Sequence, residues 1–251
     1  MNLLDRLAAI QERGGRAVLF TVVEGEDAGA KFLVEEGETG VELAVQAHEV
    51  IRGARNTLLE LGDRKVFGEV YMPPPRLFVH GAVDTAEALC HAAKHLGWTT
   101  IVADARRAFA TSRRMPSADE LIVEWPLEAT ARVAPDHQTA IVVLTHDAKF
   151  DQPALESALA TEAFYIGALG SRRNQEKRRA RLLEAGVPEE ALARIAGPCG
   201  LDIGAESQEE TALSILGEIL AVRAGRSGGF LRDAKRRIHA QEDTPAPSPA
   251  A

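Results

Sequence analysis

From Arg76 onward the chain alternates short apolar runs with amphipathic segments of helical period, and this alternation restricts the fold more than any other feature. The apolar runs predict strands at 76–80, 99–104, 120–124, 139–144 and 163–168. The segments of helical period predict helices at 84–96, 151–160 and 171–185. Strands separated by helices form a parallel sheet that is covered on both faces. The sequence therefore predicts a doubly wound α/β domain, Rossmann-like in its architecture.

A shorter region of different character precedes this domain. It predicts a helix at 2–13, strands at 16–23 and 31–34, and a long amphipathic helix at 41–61. The run Met-Pro-Pro-Pro at 72–75 cannot continue a helix or pair inside a sheet, so it predicts a semi-rigid linker. The predicted domains are a small α+β domain at 1–71, the linker at 72–75, the Rossmann-like α/β domain at 76–224, and a basic segment with a disordered Pro/Ala tail at 225–251.

Charge and composition exclude several classes of function. The formal net charge of −8 argues against nonspecific binding to nucleic acid, which needs a concentrated basic surface. No uncharged apolar run approaches the roughly 18 residues of a membrane span, and the first residues do not resemble a secretory signal, so we expect a cytoplasmic protein. The front-domain helices either pair two copies in a homodimer or pack on the second domain.

Only two cysteines occur, too few for a zinc cluster or a disulfide framework. Cys90 lies in a helical pattern, where we expect a small buried residue. Cys199 lies in a Gly-Pro-Cys-Gly loop, and its thiolate, a soft nucleophile, is a minor candidate for ligation or sulfur transfer.

The segment 165–174, Tyr-Ile-Gly-Ala-Leu-Gly-Ser-Arg-Arg-Asn, is built to hold an anion. Gly167 and Gly170 let the backbone approach a ligand, and Ser171 is placed to cap the helix that follows. Free N–H groups in the first helical turn favour a phosphate, and Arg172 and Arg173 add fork-shaped donors suited to it. The alternative is an ordinary turn between strand and helix with solvated arginines.

Polar residues also follow the predicted strand at 139–144 and fill a later loop. His146 is placed to exchange a proton near neutral pH, and Asp147 to orient it or to bind a ligand. The alternative is that Asp147 or Asp151 only caps a helix. Asp202 and Glu206 lie in a glycine-punctuated loop before a predicted helix at 208–224, where their carboxylates are placed to contact ligand hydroxyl or amine groups.

The end of the first strand of the α/β domain carries an incomplete dinucleotide fingerprint. Gly81 stands at the first glycine of G-x-G-x-x-G, but Val83 and Ala86 stand at the second and third. Asp104 ends the second strand about where a ribose-binding carboxylate belongs, roughly 20 residues further on. An NAD(P)-dependent oxidoreductase that uses Gly81 and Asp104 for its cofactor and His146 for proton transfer is therefore an alternative function, although the missing second glycine puts NAD(P) in doubt.

Several of these motifs together resemble one known family. Thr-His-Asp-Ala-Lys-Phe-Asp at 145–151, Tyr-Ile-Gly-Ala-Leu-Gly-Ser-Arg-Arg at 165–173 and Gly-Leu-Asp-Ile-Gly-Ala-Glu at 200–206 closely resemble the XdhC/CoxI family of xanthine dehydrogenase accessory factors. The resemblance spans most of residues 16–224. The chain departs from many members by lacking the Gly-Ala-Gly-His-Val-Gly turn at 81–86 and a Ser-Cys-Pro-Arg stretch in the front domain.

The resemblance implies a molybdenum cofactor chaperone rather than a turnover enzyme. Family members bind molybdopterin, promote its sulfuration with a cysteine desulfurase, and deliver it to a molybdenum hydroxylase such as xanthine or carbon monoxide dehydrogenase. By this resemblance, Ser171, Arg172 and Arg173 would hold the phosphate of the cofactor, and Asp202 or Asp147 would bind its pterin. A module that binds no ligand and only docks a desulfurase to its client is a third alternative.

Overall fold

The computed structural model describes residues 2–234. They form two compact units, residues 2–73 with 230–234 and residues 74–229. Among the described residues, the start of the predicted basic segment contains a short 3-10 turn at Leu231–Asp233. The rest of that segment and the predicted disordered tail lie outside the described residues.

The first unit is a four-stranded antiparallel sheet with two helices, in the order β2-β1-β4-β3. Its elements are α1 (Leu3–Glu12), β1 (Ala17–Glu24), β2 (Lys31–Glu35), α2 (Ala44–Gly53), β3 (Thr57–Leu61) and β4 (Arg64–Tyr71). Phe20 of β1 and Ile51 of α2 are fully buried in one core cluster, so α2 packs its apolar face on the sheet. This small α+β unit confirms the predicted fold class for the front of the chain.

The prediction of one long helix over 41–61 is wrong. Helix α2 ends at Gly53, and Ala54 takes a left-handed conformation with φ of 51° that cannot continue a helix. The chain then enters β3, which pairs antiparallel with β4 from the Leu61–Arg64 pair onward. A two-residue turn with Gly62 at φ of 66° joins the strands. The leucine-rich run at 57–61 fits both a helical and a strand period, and its pairing with β4 makes it a strand.

The second unit contains a six-stranded, wholly parallel sheet in the order β10-β9-β8-β5-β6-β7. Its strands are β5 (Arg76–His80), β6 (Thr99–Ala103), β7 (Glu120–Ile122), β8 (Thr139–Val143), β9 (Tyr165–Ala168) and β10 (Ile195–Ala196). Its helices are α3 (Asp84–His95), α4 (Pro126–Val133), α5 (Ala148–Leu159), α6 (Arg172–Glu184), α7 (Glu189–Leu192) and α8 (Gln208–Arg223). The predicted Rossmann-like, doubly wound sheet is confirmed, whereas α4, α7 and β10 were not predicted.

Alternate residues of the central strands face two separate core layers. Leu77 of β5 packs in the layer that includes α3 and α8, and Phe78 packs in the layer that includes α4, α5 and α6. Because the strands are parallel, all six end at one edge of the sheet, here called the carboxyl edge. The strand order reverses between β5 and β8, which is where ligands bind in open sheets of this kind.

Candidate functional site

The predicted site residues lie along the carboxyl edge. Four neighbouring strands, β9, β8, β5 and β6, supply most of them, and neighbouring strands are roughly 4.8 Å apart. The residues that follow these strands, in sheet order, are Gly170, Ser171, Arg172 and Arg173 after β9, His146 and Asp147 after β8, Gly81 after β5, and Asp104 after β6. The structure thus brings the separate sequence motifs to one edge.

The start of α6 presents uncompensated positive charge. Gly170 has φ of 140°, a conformation that favours glycine, and Ser171 caps the helix by accepting a hydrogen bond from the Asn174 N–H at 3.3 Å. Arg172 and Arg173 are exposed, and within residues 2–234 neither guanidinium has a hydrogen-bond or ion-pair partner. The first turn of α6 carries no acidic residue. Two free guanidinium groups beside a helix N-terminus are chemically suited to an anion, as the sequence predicts.

A buried ion pair between Arg178 and Asp151 holds this turn in place. Arg178 donates from Nε to both carboxylate oxygens of Asp151, at 3.1 and 2.9 Å, and from Nη2 to Oδ1 at 2.8 Å. The same Nη2 donates to the Leu169 carbonyl at 3.1 Å, and Gln175 Nε2 donates to the Ala168 carbonyl at 2.9 Å. The pair therefore joins α6 to α5 and to the end of β9. Sequence reasoning missed Arg178 because α6 is rich in arginines and nothing in its pattern distinguishes the buried one.

Gly167 serves packing inside the unit. It lies within β9, and a Cβ there would come 2.6 Å from Cε1 of Tyr165, so the glycine makes room for the tyrosine ring. The Tyr165 hydroxyl donates to Glu218, whose carboxylate also accepts the Gly200 N–H at 2.8 Å. Burial, reinforced by neighbouring acidic groups, raises the pKa of Tyr165. Gly167 thus lies in an internal hydrogen-bonded cluster.

Both cysteines are buried thiols. Burial, and then the nearby Glu218 carboxylate, raise the pKa of Cys199 to about 12. Burial also raises the pKa of Cys90 to about 12. A thiol acts as a nucleophile in its thiolate form, which neither side chain adopts near neutral pH. The arrangement therefore disfavours sulfur transfer through Cys199.

The end of β8 combines a helix cap with polar groups that have no partner. Asp147 caps α5 by accepting the Lys149 N–H at 3.0 Å, whereas Asp151 is used in the ion pair. His146 is exposed, and its ring has no hydrogen-bond partner in residues 2–234. The Thr145 hydroxyl is buried, and it too lacks a partner in that part of the chain. A Cβ on Gly81 would lie 2.9 Å from Thr145 Cγ2, so β5 and β8 approach closely here.

Asp104 is fully engaged by the protein itself. Its Oδ2 accepts the Ala82 N–H at 2.9 Å and Arg106 Nη2 at 2.7 Å, and its Oδ1 accepts the Arg106 N–H and Nε at 2.9 Å each. Burial alone would raise the pKa of Asp104, but these hydrogen bonds outweigh it and lower the pKa. The carboxylate that a dinucleotide ribose would need is occupied, so Asp104 does not support the oxidoreductase alternative.

The start of α3 carries negative charge. Asp84 begins the helix with a side chain that is 82% exposed, and Glu87 also lies in the first turn. The N-cap residue Val83 makes no side-chain hydrogen bond. Asp84 pairs with Arg114 at 3.1 Å, and Glu87 accepts the Ser117 N–H at 3.1 Å, so the acidic groups and the nearby arginine are already engaged within the unit, and α3 is poorly suited to a dinucleotide.

The Asp202 loop reaches the same edge through α8. Ser207 and Glu210 form the predicted capping box at the start of α8. The Thr85 hydroxyl of α3 donates to Gln208, which places the start of α8 beside the start of α3. Asp202 is exposed and has no hydrogen-bond partner within the described range. Its carboxylate is therefore free to meet a ligand.

Two other kinds of site are absent from the part of the chain that the structure describes. That part contains no group of three or more His, Cys, Asp or Glu side chains arranged to hold a metal ion. None of its helices combines the length and apolar character needed to cross a bilayer.

The fold and the carboxyl edge define a Rossmann-like α/β protein with two arginines at the start of α6 that are unpaired within residues 2–234. The model of the family described as the XdhC Rossmann domain matches residues 77–219, and the chain belongs to this family. The family resemblance predicted from the sequence motifs is therefore confirmed.

Three proteins illustrate the relationship. The chain is 32% identical over 211 residues to a probable xanthine dehydrogenase subunit of Bacillus subtilis, covering 83% of this chain and 62% of that protein. It is 36% identical over 99 residues to the molybdenum cofactor insertion chaperone PaoD of Escherichia coli, covering 39% of this chain and 30% of PaoD. A crystal structure of a xanthine dehydrogenase from Bacillus halodurans has the same fold, with a TM-score of 0.64 at 24% identity over 92% of this chain and 66% of that one.

Proposed function

We propose that this chain binds the molybdenum cofactor at its carboxyl edge and delivers it to a molybdenum hydroxylase such as xanthine or carbon monoxide dehydrogenase. The observation that carries the proposal is the capped start of α6, where Arg172 and Arg173 are exposed and unpaired within residues 2–234. Membership in the XdhC family and similarity to the insertion chaperone PaoD support the choice of cargo.

The chemistry of the edge suits this cargo. Molybdopterin ends in a phosphate, and its dinucleotide form contains a pyrophosphate. The Ser171 cap leaves first-turn N–H groups of α6 for such an anion, and the two arginines supply charge-assisted donors. Asp202, His146 and Asp147 are exposed along the same edge and supply hydrogen-bonding groups for the polar pterin ring.

The proposal extends to sulfuration of the bound cofactor by a cysteine desulfurase. Cys90 and Cys199 are both buried and protonated near neutral pH. This favours the partner enzyme as the source of sulfur, while this chain holds the cofactor. The predicted cytoplasmic location and homodimer stay predictions.

The test is purification followed by reconstitution. The chain is purified without oxygen from a host that makes the cofactor, and pterin is measured as fluorescence after oxidative release. The loaded protein is then mixed with a cofactor-free hydroxylase and a cysteine desulfurase. We expect near-stoichiometric pterin and recovery of hydroxylase activity. A folded protein that never contains pterin would contradict the proposal, and would favour the docking module if it still bound both enzymes.

A further inference from the structure

A second group of side chains lies on the carboxyl edge, on the far side of β8 from α6. Four residues from three loops compose it, and we call them the stacking platform. Arg106 follows β6, Trp125 follows β7, and Lys149 and Phe150 lie in the first turn of α5 after β8. None of these residues was predicted as part of a site, because they are distant in sequence and each is unremarkable alone.

The platform alternates cations with aromatic rings. The rings of Trp125 and Phe150 lie 5.2 Å apart between centroids, tilted by 31°. Lys149 Nζ lies 4.9 Å from the centre of the Trp125 ring and 5.7 Å from that of Phe150. Arg106 Cζ lies 5.4 Å from the centre of the Phe150 ring and 4.0 Å from that of Phe109. These distances are those of cation–π contacts.

Part of this surface is both rigid and open to solvent. Trp125 is 45% exposed, although a tryptophan buries a large apolar area when it has a partner. Arg106 is held by Asp104 through both carboxylate oxygens, so its guanidinium plane is fixed while its side chain remains 35% exposed. A fixed guanidinium beside the half-buried Phe150 ring and the exposed Trp125 ring is a surface on which a flat heterocycle stacks at little entropic cost.

The position of the platform complements that of the anion site. The loops after β9 and β6 are three strand spacings apart, roughly 14 Å. The loop after β8 lies between them and carries the buried, unpartnered Thr145 hydroxyl. A ligand with a phosphate at one end and a flat ring at the other would span this edge and offer Thr145 a partner.

We propose that the stacking platform binds the planar ring of the cargo while the start of α6 binds its phosphate. This inference rests on the proposed function and deepens it. The chemistry recognised is a flat, nitrogen-rich heterocycle, which is either the pterin itself or the nucleobase of a dinucleotide form. Stacking provides the affinity, and the cations Arg106 and Lys149 favour rings that carry negative charge or electron-rich faces.

The experiment compares Trp125→Ala with Leu127→Ala. Leu127 is a matched control because it lies two residues further on and is 62% exposed. Each protein is purified from the cofactor-producing host, and its pterin content is measured. Calorimetric titrations with pterin-6-carboxylate, guanosine monophosphate and cytidine monophosphate identify the heterocycle, and ribose 5-phosphate serves as the probe without an aromatic ring.

We expect Trp125→Ala to bind the preferred ring compound at least tenfold more weakly and to lose pterin, with Leu127→Ala unchanged. Preference for pterin-6-carboxylate would assign the platform to the pterin, and preference for a nucleotide would assign it to the base. Ribose 5-phosphate should bind both variants equally. Unchanged pterin content and unchanged titrations for Trp125→Ala would overturn the inference.

The two proposals fail in different ways. Wild-type protein without pterin would contradict cofactor binding, yet a ring compound lost only in Trp125→Ala would still support a ring site at the platform. Pterin retained equally by wild type and Trp125→Ala would support cofactor binding and contradict a role for the platform in it.

Discussion

The starts of α3 and α6 are the same structural unit, a strand followed by a glycine turn and a helix, yet they differ in charge and in freedom. At α3 the exposed first residue is Asp84, which pairs with Arg114 at 3.1 Å, and the nearby Asp104 carboxylate accepts hydrogen bonds from Ala82 and Arg106. At α6 the first residues are Arg172 and Arg173, without partners in the described range. The two turns share one fold but differ in the residues that begin each helix, so on our proposal those residues, and not the sheet, decide where an anion binds.

The largest expected effect comes from the ion pair that supports α6. Asp151→Leu leaves the buried Arg178 without its carboxylate, and we expect a loss of about 3–5 kcal/mol in the free energy of unfolding. Arg178→Met should lower the free energy of unfolding by less, because the Asp151 carboxylate would still be paired with Arg181 at 3.3 Å. Urea unfolding measures both. The exposed pair of Arg179 with Glu189 is the control, and Arg179→Met should change stability by less than about 1 kcal/mol. Equal costs for all three variants would contradict this account of α6.

Acid should destabilise the fold through His80, which ends β5. Burial lowers the pKa of His80, at the end of β5, to about 4, compared with about 6.5 in an unfolded chain. Between these values the unfolded chain binds a proton that the folded chain does not, so stability falls as pH falls from 6.5 to 4, by about 3 kcal/mol. His80→Gln should lack this loss. Unfolding of both proteins from pH 7 to 4 measures it, and parallel curves would show that His80 titrates normally.

The two glycine turns should differ in their tolerance of a side chain. Gly81→Ala would put a side chain on a residue with φ of 109° and place its Cβ 2.9 Å from Thr145 Cγ2. We therefore expect the free energy of unfolding to fall by about 2–3 kcal/mol. Gly170→Ala would also need an unfavourable φ, of 140°, but its Cβ would make only an ordinary contact with Asn174 at 3.5 Å. We therefore expect the free energy of unfolding to fall by about 1–2 kcal/mol. Thermal unfolding compares them. A larger cost at Gly170 would reverse the predicted order.

The smallest effect concerns the thiols. With pKa values raised to about 12, Cys90 and Cys199 should resist alkylation at pH 7.5 in the folded protein and react fully after unfolding. Cys199→Ser should change pterin content by less than about twofold. Mass spectrometry after iodoacetamide treatment gives the reactivity. Rapid labelling of the native protein would restore a sulfur-transfer role for Cys199.

The sequence was sufficient for five of the six strands of the parallel sheet, all but β10, and for the edge at which its motifs meet. Strand and helix periods predict parallel order, and parallel order places the ends of β5, β6, β8 and β9 together. The hydrogen-bond partners and burial of each side chain there could not be predicted. Whether Asp104 is free depends on donors that the fold brings to it, and the burial of Arg178 depends on Asp151, far away in sequence. The stacking platform was missed for the same reason.

The central claim is that the arginines at the start of α6 hold the anionic end of the cofactor. Its most direct test is the pterin content of the double variant Arg172→Ala/Arg173→Ala, with Arg179→Ala as control on the same helix but outside its first turn. We predict that the double variant unfolds at the wild-type temperature and retains less than about one tenth of the pterin, while the control retains all of it. A double variant that keeps wild-type pterin would contradict the account.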